Sequence, residues 1–169
     1  VLAFDRPTPG IWQIEVYKNS FGTDTGFLMR LPIRNFLSAG TYFLRPTPDM
    51  SKVNPAMAAT VIAVSAYDYR NGRIYPQASW GFNSEFSAKP DLAAPGVNVL
   101  APDLNHGFTA ASGTSLAAAS VAGGAALILE WALVRGNVTA TNSLGIKNFL
   151  IRGAERDYPN LSYPNKIWG

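Results

Sequence analysis

The chain has 169 residues, no cysteine and one histidine, and its 14 basic and 11 acidic side chains leave a formal charge of +3. That is the length of one ordinary domain, and the lack of cysteine excludes disulfides, thiolate metal sites and a cysteine nucleophile. The basic residues stand singly, with no cluster interleaved with aromatics, so no nucleic-acid partner is expected. Only 15% of residues are charged against 47% hydrophobic. This is low for an ordinary soluble surface and implies that another segment or chain covers part of it. The chain begins at Val1 with neither an initiator Met nor an apolar leader, so it is expected to be cut from something longer.

In chain order, Ile11–Lys18 alternates, with Trp12, Ile14 and Val16 set apart from Gln13, Glu15 and Tyr17, and predicts a strand. Gly26–Leu31, stopped by Pro32, and Thr41–Leu44, stopped before Pro46, predict two more. Short strands at this spacing suggest part of a jelly-roll or sandwich module, and three strands cannot close one. Residues 1–48 are therefore expected to be a partial β segment, and 49–169 a second unit. The Pro46–Pro55 stretch is a connection. Beyond it Val61–Ala66 is a continuous apolar run, as in a parallel strand covered on both faces, and Val97–Leu100 predicts a shorter strand. A long apolar helix is expected over 114–134, ending at Arg135-Gly136, and a second from Asn142 or Ser143 to Arg152, ending at Gly153. The second unit is thus α/β. Leu116–Val134 is apolar enough to raise a membrane span, but Ser120, Glu130 and its alanines favour a buried helix, and no membrane partner is expected.

Gly113-Thr114-Ser115 sets a serine between a tight turn and a helix of small residues, Leu116 to Gly123. A hydroxyl there sits where backbone N–H groups lack intrahelical partners, and those donors can hold an oxyanion formed beside it. The simpler reading is an N-cap serine. The Ala/Gly run favours the first, because it lets the helix lie close to neighbouring backbone. His106 is the one conventional base in the chain. It is expected to be a loop histidine, since closeness in sequence does not supply hydrogen-bond geometry. Asp91, in Lys-Pro-Asp, is expected to satisfy loop backbone donors, and Asp103, after Pro102, to be a turn residue. No acidic cluster has calcium-loop spacing.

Four ordered blocks resemble the C-terminal third of subtilisin-like serine peptidases: Val61–Asp68, Lys89–Val97, Ser112–Ala118 and Val121-Ala122-Gly123. The β segment with Pro7–Trp12, together with Leu129-Glu130-Trp131 and Arg135-Gly136-Asn137, is similar to the jelly-roll insertion of clostridial Csp-type subtilases. The resemblance implies a subtilisin-like parallel-sheet core, preceded by strands of a jelly-roll-like insertion. It implies Ser115 as nucleophile, and Ser112, Gly113 and Thr114 along the substrate cleft. Ala119-Ser120 stands where the family's helix carries Pro-His, a histidine that is not the general base.

The family's catalytic aspartate, histidine and oxyanion asparagine belong upstream of Val1, so the isolated chain is expected to be inactive. The implied partners are a protein or peptide substrate and the upstream part of the same protein. Calcium is implied only as a family tendency with no residues to place it on, and the compartment as secreted, cell-envelope or spore-associated. The alternative is a non-catalytic relative that binds or regulates a partner. A third reading makes the N-terminal β segment a binding module, with Trp12, Tyr17 and Phe21 stacking on a sugar.

Overall fold

The computed structural model describes residues 4–17, 26–32, 34–81, 88–104 and 106–169. At its centre two strands run parallel, β1 (Val64–Asp68) and the later strand β3 (Leu92–Pro95). They are in register from Val64 opposite Leu92 to Tyr67 opposite Pro95. Between them in sequence, β2 (Arg73–Ile74) folds back antiparallel on the end of β1, giving the order β2-β1-β3. The turn between β1 and β2 is set by Asp68, whose carboxylate accepts from the Arg70 N–H at 3.0 Å and from Asn71 Nδ2 at 2.9 Å. Gly72 takes the left-handed conformation, φ 68°, that this turn requires. After β3 comes an antiparallel hairpin, β4 (Val99–Pro102) and β5 (Phe108–Ala111).

Helix α1 (Thr114–Leu129) lies across β1 and β3. The core there is made of small groups: Ala66, Leu92 and Ala94 from the strands, and Ala117 and Val121 from the helix, with Ile62, Val64, Tyr75 and Leu150 packed round them. Alanine on both sides of the contact brings helix and sheet together, which is what the small-residue run of the sequence implies. The α/β character expected of this unit is present, and the apolar run does enter a parallel pair, but its partner β3 is not the strand expected at Val97–Leu100.

The helix expected over 114–134 is α-helical to Leu129 and continues as a π turn, Glu130–Val134. The Arg135 N–H donates to the Glu130 carbonyl at 3.0 Å, five residues back, and the Arg135 guanidinium pairs with the Glu130 carboxylate at 2.9 Å. Asn137 Nδ2 caps the Trp131 carbonyl at 2.8 Å, and Gly136 turns the chain away at φ 69°. By length and composition Thr114–Val134 passes as a membrane span, and it is not the buried helix expected. Ala117, Val121 and Ala132 alone are buried, Ala117 and Val121 in the core with the sheet, and the other residues are partly or fully exposed.

Helix α2 (Ser143–Gly153) begins and ends where the sequence puts it. The side chain of Asn142, the N-cap, accepts from the Gly145 N–H at 3.0 Å. Asn142→Ala is expected to lower unfolding free energy by about 1 kcal/mol, measured by denaturant titration.

The strands expected at 11–18, 26–31 and 41–44 do not form among the described residues; Lys18 itself lies outside them. Ahead of β1 the only helix or strand among the described residues is a single 3-10 turn, Arg34–Phe36. Ile11–Tyr17 runs without a ladder, with Ile11 84% and Tyr17 81% exposed. Alternation supplies a face for a strand, but a strand also needs a neighbour to take its N–H and C=O groups. Two other boundaries move. The strand expected from Val61 starts at Val64, because Ala58–Val61 closes a turn with the Val61 N–H on the Ala58 carbonyl at 3.3 Å. The strand expected at Val97–Leu100 is Val99–Pro102, its start fixed by pairing with Ala111.

Candidate functional site

The turn that opens α1 is built on Gly96, directly after β3. A Cβ added at Gly96 would lie 2.8 Å from the Ala66 Cβ, 2.8 Å from the Gly113 carbonyl oxygen and 3.1 Å from the Ala117 Cβ. Only hydrogen fits there. Gly96 is held at both polar groups: its N–H donates to the Tyr67 carbonyl at 3.0 Å, and its carbonyl accepts from the Gly113 N–H at 2.7 Å. A second tie joins the same segments, the Asn98 N–H donating to Ser112 Oγ at 2.9 Å. The sheet therefore dictates where the helix starts.

Gly113, in an extended conformation, is the N-cap, and no side chain caps the helix. Thr114 is the first helical residue and Ser115 the second, so the N-cap reading of Ser115 does not hold. The Ser115 side chain is exposed, and its hydroxyl has no hydrogen-bond partner among the described residues. Ser112 is spent on Asn98; Gly113 and Thr114 are half-buried beside it. The structure thus brings all four expected site residues into one turn at the positive end of a 16-residue helix.

His106 is not among them. It sits at the far tip of the β4–β5 hairpin with φ 58°, in a loop closed by the Asp103 N–H donating to the Gly107 carbonyl at 2.9 Å. Ala111 to Phe108 alone spans about 10 Å of strand, and Ser115 lies beyond the opposite end. Asp103 accepts from the Leu104 N–H at 2.7 Å, as a turn residue.

Asp91 does more than the sequence indicates. Its carboxylate is 3% exposed, and Oδ2 accepts from the Ala63 N–H and the Lys89 ammonium, both at 2.7 Å. Oδ1 pairs with Lys147 of α2 at 2.5 Å. Lys89 also donates to the Val61 carbonyl at 2.7 Å, and Lys147 to the Ala59 carbonyl at 3.3 Å. A third ammonium, Lys52, is buried nearby and donates to the Ser79 carbonyl at 2.9 Å. Burial lowers Lys52 from the ordinary 10.5 to about 8; Asp91 opposes the shift and Lys89 adds to it.

Between about pH 8 and 10.5 the unfolded chain therefore keeps a proton that the folded chain has released, and stability from this site rises with pH across that window. In thermal unfolding at pH 7.5 to 10, wild type should gain on a Lys52→Met variant. A pH-independent gap between the two would contradict this.

Sequence reasoning missed β2, β3 and β5, the structural role of Gly96 and the Lys147–Asp91 pair. The Pro-Gly directly after a strand was the available signal for Gly96. Nothing local links Lys147 to Asp91.

Ser115 thus stands exposed in the first turn of a helix packed on a parallel sheet, its hydroxyl without a hydrogen bond among the described residues. The Subtilase family model matches residues 37–165, and the chain belongs to this family of subtilisin-like serine peptidases. Among solved structures it is similar to the Clostridium perfringens CspB protease, at 38% identity and TM-score 0.72, covering 76% of this chain and 28% of that one. It is 32% identical to the C5a peptidase of Streptococcus pyogenes over 110 residues, 64% of this chain and 9% of that protein. A 62-residue stretch is 40% identical to the PII-type proteinase of Lactococcus lactis subsp. cremoris, 37% of this chain and 3% of that protein. The chain thus spans less than a third of each of these relatives.

Proposed function

We propose that this chain is the serine-bearing part of a subtilisin-like endopeptidase, with Ser115 as its nucleophile. The observation that carries the reading is the Ser115 hydroxyl, exposed at the second position of α1 and without a hydrogen bond among the described residues. Ser115 Oγ attacks a peptide carbonyl while its proton passes to a base. The tetrahedral oxyanion is held by N–H groups that include that of Ser115. Collapse expels the amine, which takes the proton back, and water then releases the acyl group by the reverse path. Ser112, Gly113 and Thr114 line the leaving-group side of the cleft.

The base, the acid that orients it and an oxyanion asparagine come, on this reading, from chain upstream of Val1, so these 169 residues alone hydrolyse nothing. Support comes from His106, the only histidine, which stands at the wrong end of the hairpin, and from exposed apolar groups on α1 and the π turn after it, such as Leu127 and Val134, 68% and 80% exposed. Residues 1–48 then belong to a jelly-roll-like insertion whose remaining strands lie upstream and supply the ladders that Ile11–Tyr17 lacks. The substrate is a protein or peptide, met outside the cytoplasm or at the cell or spore envelope, as the resemblance implies. Calcium stays a tendency of the family with no residues here to place it on: no group of three or more His, Cys, Asp or Glu side chains comes together among the described residues.

The test is fluorophosphonate labelling of the full-length protein. A serine adduct at Ser115, absent in Ser115→Ala, supports the peptidase. A folded full-length protein that takes no label is a non-catalytic relative instead.

A further inference from the structure

We propose that Asp91 is a positioning residue for the Ser115 turn: it fixes the register of β3 on β1, and that register places Gly96 under Gly113. This rests on the reading of Ser115 as nucleophile.

β3 is Leu92-Ala93-Ala94-Pro95. Strand register is ordinarily set by which face is apolar, because a one-residue slip turns every side chain over. In β3 Leu92 and Ala94 are buried and Ala93 and Pro95 half-buried, so Leu92 is the one large side chain that marks a face, and only four pairs join β3 to β1. So short a pattern leaves room for the strand's ends to fix the register.

At the entrance Asp91 does this. Its N–H donates to the Ala63 carbonyl at 2.8 Å while its carboxylate accepts from the Ala63 N–H at 2.7 Å, so one residue closes on one residue from both sides. Lys89, bound to that carboxylate, holds the Val61 carbonyl, and Lys147 ties the same carboxylate to α2. A buried ion pair is a poor way to gain stability, since desolvation offsets the attraction, but a good way to specify one alignment.

The exit shows why one alignment matters. A slip of one residue moves β3 by about 3.3 Å and brings Pro95 or Val97 to the slot where any Cβ would meet the Gly113 oxygen and the Ala66 Cβ at 2.8 Å. The Gly96–Gly113 hydrogen bond, and with it the start of α1, goes with the register. Asp91 touches neither substrate nor Ser115; it acts through Gly96.

The experiment uses the full-length protein, with turnover counted per fluorophosphonate-titratable serine so that unfolded molecules drop out. Asp91→Ala is compared with Lys89→Met/Asp91→Ala, which removes a cation and an anion together, and with Lys147→Met, which leaves the Ala63 clamp intact. Both Asp91 variants are expected to lose about 10- to 100-fold in kcat per titrated site, since misplacement by about 1 Å costs that order. KM should stay within about two-fold, and the Gly113 amide should exchange with deuterium faster. Lys147→Met should lower Tm and leave kcat per site unchanged. Normal turnover per site in either Asp91 variant overturns the proposal, as does an equal kcat loss in Lys147→Met. Failure to recover either Asp91 variant folded makes Asp91 a folding residue and also sinks it. If instead Ser115→Ala remains active, the nucleophile assignment fails first.

Discussion

Ser115→Ala in the full-length protein is expected to lower kcat by about 10⁶-fold while leaving the fold and substrate affinity near wild type. The magnitude is that of removing the nucleophile alone from a subtilisin, where losing the serine costs about as much as losing all three catalytic groups. The structure gives the reason for a clean separation of activity from stability. The hydroxyl caps nothing, since Gly113 is the N-cap, and it bonds to no described residue. An exposed Ser→Ala change in the first turn of a helix also suits helix propensity. Measured Tm should therefore hold or rise slightly while peptide hydrolysis disappears. A large fall in Tm would mean that the hydroxyl has a structural partner, and residual hydrolysis above about 1% would mean that another group attacks the substrate.

The second large effect is steric. Gly96→Val places a branched carbon where a single Cβ already comes within 2.8 Å of two atoms, one of them the backbone oxygen of Gly113. Neither neighbour is the free end of a flexible side chain, so relief requires α1 or β1 to move. Overpacking of this kind costs about 1–3 kcal/mol where a core can adjust, and the backbone partner here argues for the upper end or beyond. The expected result is a loss of about 3 kcal/mol in denaturant titration together with loss of fluorophosphonate labelling. Gly96→Ala is the milder test and should show the same two effects in smaller measure. Unchanged labelling in either variant would mean that the Ser115 turn does not depend on its seat against the sheet.

What was legible in the sequence follows the range of the interactions involved. Helix α2 could be placed nearly to the residue, because its signals, the Asn142 side chain and the closing Gly153, act within one turn. Strand β1 and helix α1 could be placed from their apolar and small-residue runs, but β3, the parallel partner of β1, could not, and the second strand expected at Val97–Leu100 lies instead in the antiparallel hairpin. The end of α1 was harder: the helix widens into a π turn because Arg135 reaches Glu130 across five residues, a choice that the apolar run does not dictate. The first 48 residues show the opposite error, since alternation at Trp12, Ile14 and Val16 marks a strand-forming segment but carries no information about its partner. Within the site, the serine turn was legible as a motif, whereas the clamp at Asp91 was not, because Lys147 lies 56 positions further on and reaches it only through the fold.

The β4–β5 hairpin carries a consequence for handling the protein. Leu100 and Phe108 are 69% and 70% exposed, and Leu104 at its tip 97%. Paired strands with bare apolar side chains and an outer edge are a template for self-association. Produced alone, this polypeptide should collect in inclusion bodies or as soluble oligomers. Charged replacements at Leu104 and Phe108 are the place to begin recovering a monomer.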